Sequence, residues 1–279
     1  MPGLPCKAER SSSDLSRNSS LSLGADIAIA ISGFIFLLGI ILFITPVYAA
    51  DIVSGLVGHW KLNGSAGDYS GNGNSGTIVG ATATTDRFGR ANSAMSFDGS
   101  SYIRCPTSSS LNFGTGDFTV SFWTYRTVYG FQGGAYVGKT LSATTMPGFD
   151  IYDGQWRGLD VRTSTGRLAF VYIHAAYNVW QFHAFVVTQV SSPYIKHYVN
   201  GVMDQTGYTE VGNKGSVNNS GDFLIGYSTA GGANRYFNGS MDEVKIYNRA
   251  LTAADVLALY SGGGSTKLRN CVIRGAVIR

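Results

Sequence analysis

Between Leu56 and Tyr260, apolar and polar residues alternate in short runs, the two-residue period of a half-buried β-strand. Leu56 to Trp60, followed by Lys61-Leu62, reads as a first strand. In Phe118-Thr-Val-Ser-Phe-Trp123, residues Phe118, Val120 and Phe122 share one face. Gly166 to Ile173 and Trp180 to Thr188 mix apolar and polar positions as strands of a curved sheet do. Tyr194 to Val199, Asn200-Gly201 and Val202-Met203 predict a hairpin, because Asn and Gly tolerate the positive φ of a tight turn. Phe223 to Tyr227 predicts a further strand.

The clearest stretch is Phe237 to Tyr260. Asn238-Gly239 is a turn signal. From Met241 to Tyr247 the alternation puts Asp242, Val244 and Ile246 on one face and Glu243, Lys245 and Tyr247 on the other. Thr252-Ala-Ala-Asp255 then has the form of a capping box, hydroxyl to the N3 amide and carboxylate back to the cap. Leu251 and Val256 are spaced for a hydrophobic staple, and Gly262-Gly263-Gly264 ends the helix.

Before Leu56 the pattern changes. Residues 1–26 are polar and aperiodic, the composition of a disordered leader. Ile27 to Ala50 is the one long apolar run, with no charge from Ile27 to Ile44. Two readings stand for 27–50. One is a secretory signal cut after Pro46-Val-Tyr-Ala-Ala. The other is an uncleaved hydrophobic helix anchored in a membrane. Either puts the β-patterned domain, residues 51–262, outside the cytoplasm, secreted or at the cell surface. Residues 263–279 follow a glycine linker as a tail to which the sequence assigns no role.

Several motifs share one likeness. Phe237, Gly239, Met241, Asp242, Glu243, Val244, Ile246, Tyr247, Arg249, Leu251 and Thr252 fit, at fixed spacing, the closing segment of laminin G-like domains in the concanavalin A-like lectin/glucanase superfamily. The Asp68-to-Thr77 loop, Asp98-Gly99 with its flanks, Phe118-to-Trp123, Tyr198-Val-Asn-Gly201 and Phe223-to-Tyr227 resemble that family's elements in the family's order. Trp180-Gln-Phe-His183 resembles its Trp-x-His element with one extra residue. The resemblance spans residues 56–260. It implies an all-β fold, a two-sheet antiparallel sandwich of jelly-roll form with one short C-terminal helix.

Composition narrows the functions. Glycine is frequent at 37 and proline sparse at 6, which suits many short strands and tight turns. Charged residues make up 14%, well below the roughly 25% of ordinary soluble domains. The net charge of +4 is scattered, so a nucleic-acid partner is not expected. The three cysteines, Cys6, Cys105 and Cys271, match no metal spacing, and export would put Cys105 and Cys271 where a disulfide can form.

Glycosidases need two carboxylates about the scissile bond. After residue 50 only two glutamates remain, Glu210 and Glu243, without the Glu-x-Asp-x-x-Glu strand motif of the superfamily's hydrolases. Asp150-x-x-Asp153 reads as turn chemistry, and no His pair or Gly-x-Ser-x-Gly suggests another catalyst. The expectation is therefore a non-catalytic, extracytoplasmic recognition module, a lectin for a glycan or a surface glycoprotein. The alternative is an adhesive cell-surface protein without a sugar site, and a glycoside hydrolase ranks third. Sugar contact would fall on aromatics, with Tyr129, Tyr136, Tyr152 and Trp156 as the candidates and Phe131 and Tyr177 beside them. The resemblance adds a structural Ca2+ near Asp98 and Asp242, whose hard oxygens suit that ion.

Overall fold

The structure is a computed structural model that describes residues 52–262, apart from 128–133, 142–146, 155–156, 174, 191, 193, 207–208, 211–212 and 230–233. The leader, the apolar run at 27–50 and the tail lie outside the described residues. Among the described residues no helix is long and apolar enough to cross a membrane.

Two antiparallel sheets carry the fold. The first runs β13 (Val202–Thr206), β12 (Ile195–Val199), β11 (Trp180–Val187), β6 (Phe118–Arg126), β18 (Asn238–Tyr247), β4 (Ala94–Asp98) and β3 (Thr82–Thr84), with β1 (Leu56–Trp60) also paired to β18. The second runs β14 (Thr209–Glu210), β10 (Gly166–Val171), β9 (Arg157–Thr163), β8 (Gly148–Gly154), β7 (Ala135–Lys139), β15 (Phe223–Ile225), β5 (Tyr102–Cys105) and β2 (Thr77–Val79). A short ribbon of β16 (Tyr227–Ser228) and β17 (Arg235–Tyr236) adjoins the second sheet. The sheets face each other over one apolar core. The first supplies Phe118, Val120, Phe122, Val244 and Ile246, and the second supplies Val137, Phe149, Ile151, Leu159 and Phe223. Trp60 is fully buried there and stacks on Phe223 at 4.9 Å.

The expected hairpin forms as read: Asn200 and Gly201 both take positive φ, 51° and 82°, between β12 and β13. The reading of Asn238-Gly239 as a turn is corrected, since both open strand β18. Gly239 is needed because the strand runs so close to its neighbour that a Cβ would sit 2.2 Å from the Tyr125 carbonyl oxygen.

The two faces of β18 also differ from expectation. Glu243 takes φ 53° at a bulge between Asp242 and Lys245, where the register against β6 shifts. One extra residue reverses the alternation. Met241, Val244 and Ile246 all reach the core, while Asp242 moves to the outer face opposite Trp123.

That outer face is covered by helix α1 (Ala253–Gly262). Thr252 Oγ1 accepts from the Asp255 amide at 3.1 Å, and Asp255 Oδ2 accepts from the Thr252 amide at 3.0 Å, completing the box. Val256 and Leu259 are buried against Trp123, Phe182, Ala184 and Tyr247 in a second apolar cluster. Burying such side chains contributes roughly 1.5–3 kcal/mol each. Tyr260 stacks on Trp123 at 5.5 Å.

Candidate ligand-binding face

With α1 on the first sheet, the outer face of the second sheet is the broad surface left for a ligand. Strand parity decides what it presents. Phe149 and Ile151 of β8 enter the core, so Asp150 and Tyr152 face outward. Leu159 and Val161 of β9 do the same and turn Asp160 outward. Asp150 pairs across the sheet with Gly138 on one side and Asp160 on the other. The reading of Asp150 and Asp153 as turn residues is thus corrected: both lie within β8 and face opposite ways. Asp153 turns inward to an ion pair with Arg126 and lies 3.4 Å from the Tyr136 hydroxyl.

The outward acids have unequal surroundings. Both Asp160 oxygens are held by Arg167, Nε to Oδ1 at 2.9 Å and Nη2 to Oδ2 at 3.0 Å, with Arg162 Nη2 at 3.3 Å. Asp150 is 2% exposed, and neither oxygen makes a hydrogen bond of ordinary geometry. Burial pushes its carboxyl up to about 7, against the opposing pull of Ser228 and Arg235. Gly138 makes room for it, since a Cβ there would lie 2.4 Å from Asp150 Oδ1.

Aromatic rings gather on the same face. Ile103 and Cys105 of β5 point into the core, which turns Tyr102 outward. The ring of Tyr227 stacks on Tyr236 at 4.5 Å, and Tyr102 lies 5.2 Å from Tyr227. All three are half-buried. The Tyr227 hydroxyl donates to Asn234 Oδ1 at 2.8 Å. Next along β17, the Arg235 guanidinium lies 4.7 Å above the Tyr152 ring.

Of the aromatics expected to contact a ligand, Tyr152 lies on the outward side of β8 but is only 5% exposed, beneath the Arg235 guanidinium. Tyr136 is fully buried in the core between Phe122 and Phe237, at 5.3 and 5.1 Å, and so offers no surface to a ligand. Tyr129, Trp156 and Phe131 lie outside the described residues. Tyr177 carries the Arg126 guanidinium 4.7 Å from its ring. The sequence reading did not single out Tyr102, Tyr227, Tyr236, Arg235 or Asp160. A signal was present: Phe149-Asp-Ile151 and Leu159-Asp-Val161 repeat one apolar–acid–apolar triplet on two strands.

The two acids expected to hold calcium have other company. Asp98 Oδ1 accepts from the Ser100 amide, the Ser100 hydroxyl and the Ser101 amide, each at 2.9 Å, capping a turn. Those bonds, led by the Ser100 amide, draw its carboxyl down to about 2. Asp242 is ion-paired to Arg87. Among the described residues no three His, Cys, Asp or Glu side chains gather as a metal site. Cys105 is a buried thiol, raised far above its ordinary value by burial, and Cys271 lies outside the described residues.

Two face-packed antiparallel sheets, one covered by a helix and the other bearing acids, guanidinium groups and tyrosines, define a lectin-like β-sandwich. The chain belongs to the concanavalin A-like lectin/glucanases superfamily, whose family model matches residues 97–257. No curated protein matches the sequence. Among solved structures, the chain is similar to the binding domain of Paraclostridial Mosquitocidal Protein 1. The identity is 18% and the TM-score 0.60, over 74% of this chain and 52% of that one. It is similar to domain 4 of AbnA, a GH43 extracellular arabinanase from Geobacillus stearothermophilus, in complex with arabinotriose, at 21% identity and TM-score 0.55, over 74% and 98%. The botulinum neurotoxin serotype D ligand-binding domain in complex with N-acetylneuraminic acid is similar at 12% identity and TM-score 0.58, over 77% and 52%. At such identities the likeness is one of fold. The chain spans about half the length of the toxin domains it matches.

Proposed function

We propose that the domain is an exported, non-catalytic recognition module that binds a glycan on the outer face of its second sheet. The observation that carries this reading is the tyrosine cluster of Tyr102, Tyr227 and Tyr236, set beside Arg235, Tyr152 and Asp150. A pyranose presents an apolar C–H face ringed by hydroxyls. Tyrosine rings match the face, while the Arg235 guanidinium and the tyrosine hydroxyls supply the donors and acceptors that fix its orientation. The bound arabinotriose and N-acetylneuraminic acid of similarly folded domains support the ligand class. Export rests on the apolar run at 27–50. The partner is then a free glycan or the glycan of a surface glycoprotein.

The juxtaposition of Asp150 and Asp160 favours one second reading, glycoside hydrolysis by a carboxylate pair. The Arg167 fork weighs against it, because it occupies both oxygens of the acid that would act as nucleophile or base. A glycan array probed with the purified protein tests the leading reading. Hits are expected, and they are expected to vanish in the Tyr227→Ala/Tyr236→Ala double variant. Hits that survive in that variant would move the site elsewhere, and an array without hits would overturn the ligand class. Release of reducing sugar from a hit would establish the hydrolase reading instead.

A further inference from the structure

We propose that a second pocket, on the first-sheet side of the sandwich, binds a sugar acid, holding its carboxylate between Lys61 and Lys245 and laying its ring against Tyr69. A cavity of about 210 Å³ opens between β1 and β18, with Leu56, His59, Lys61, Tyr69, Lys245 and Tyr247 among its walls. Pockets for drug-sized ligands run from roughly 300 Å³ upward, so this one suits a single ring rather than a chain.

The walls are built rather than incidental. Trp60 and Leu62 point into the core, which turns His59 and Lys61 outward. His59 pairs with Lys245 across the strands. The loop that carries Tyr69 is fastened by Asp68, which accepts from the amides of His59, Ser70 and Asn74 at 3.0, 2.8 and 2.8 Å. The Tyr69 amide itself donates to the His59 carbonyl at 2.8 Å. The ring is therefore held at its base while remaining 51% exposed, the arrangement of a stacking surface.

Charge selects the ligand. Glu243 stands beside the pocket, where a single oxygen serves both His59 Nε2 at 2.9 Å and Lys245 Nζ at 3.0 Å, while the Asp68 carboxylate is taken up by its own loop's amides. The Lys61 ammonium lies 4.3 Å above the Tyr69 ring and has no carboxylate partner among the described residues. Lys245 is thus already paired, and Lys61 is the ammonium that an entering anion would neutralise. The His59 and Lys245 side chains are each 13% exposed, so an entering carboxylate would meet partly desolvated donors and gain charge-assisted hydrogen bonds. The tyrosine wall and the Leu56 edge ask for a C–H face on the same molecule. A pyranose carrying a carboxylate meets both demands, whereas a bare inorganic anion meets one.

Saturation-transfer NMR on the full-length protein tests the assignment with D-glucuronate, D-glucose and sodium sulfate as probes. In the Tyr227→Ala/Tyr236→Ala double variant, which silences the other sugar face, glucuronate is expected to bind and glucose to give no signal. Lys61→Met and Tyr69→Ala are each expected to weaken glucuronate by about tenfold or more. Equal signals from glucose and glucuronate, or undiminished binding in Lys61→Met, would overturn the proposal. Displacement of glucuronate by an equal concentration of sulfate would reduce the pocket to an anion trap and overturn it too.

Discussion

Arg87 and Asp242 form an ion pair with both side chains almost wholly shut from water, 5% and 3% exposed, and the guanidinium lies 4.5 Å above the Trp123 ring. Burial pushes the Asp242 carboxyl up to about 7 in spite of Arg87, whose pull is in the other direction. Removing one partner of such a pair leaves a charge stranded in the sheet. Arg87→Met is therefore expected to cost about 3–5 kcal/mol in urea unfolding near pH 8. The loss should shrink near pH 5, where the stranded carboxyl is protonated. An unfolding midpoint equal to that of the parent at pH 8 would show that the pair is not structural.

Asp150 sets a pH dependence. Its carboxyl titrates at about 7 when folded, against the ordinary 3.8. Between those values the folded chain keeps a proton that the unfolded chain has released. Stability attributable to this group therefore falls as pH rises through that window and levels off above it. Asp150→Asn removes the effect. The stability of the variant relative to the parent is expected to climb from about pH 4 to about pH 7 and then stay flat. A pH-independent difference would contradict the assignment.

Gly138 faces Asp150 directly. The methyl group of Gly138→Ala would fall 2.4 Å from Asp150 Oδ1 and displace the carboxylate. Glycan affinity is expected to drop severalfold while the far-ultraviolet dichroism of the fold persists. Calorimetry on an array hit reads this, and full affinity in the alanine variant would remove Asp150 from the site.

The Thr252–Asp255 box holds the first turn of α1 through two hydrogen bonds. Thr252→Ala should cost about 1 kcal/mol, as other N-cap deletions do. Thr252→Ser keeps the acceptor oxygen and should cost much less. Equal losses in the two variants would mean that the cap is not what stabilises the helix.

Chelation addresses calcium. Asp98 is spent on its serine turn and Asp242 on Arg87. The melting temperature is expected to be the same with EDTA as with calcium. A clear fall in EDTA would point to a site that uses other ligands.

Much of this architecture could be read from the chain because it depends on local rules. The Asn200-Gly201 hairpin, the strand from Phe118 and the capped helix each follow from spacing and turn chemistry. What escaped reading depends on pairing between distant segments. Tyr136 was a candidate for sugar contact, yet Phe122 of the facing sheet and Phe237 enclose it in the core. Tyr102, Tyr227 and Tyr236 are far apart in sequence and meet only once β5, β15 and the β16–β17 ribbon assemble. Arg87 acquires its role from Asp242, 155 positions away.

The left-handed residue at position 243 acts as a phase shifter. Upstream of it the strand keeps step with one set of neighbours, downstream with another, and a single amino acid reconciles the two. Straightening the bulge with every residue kept would roll the upstream half over, delivering a carboxylate to the oily interior and a methionine to the rim.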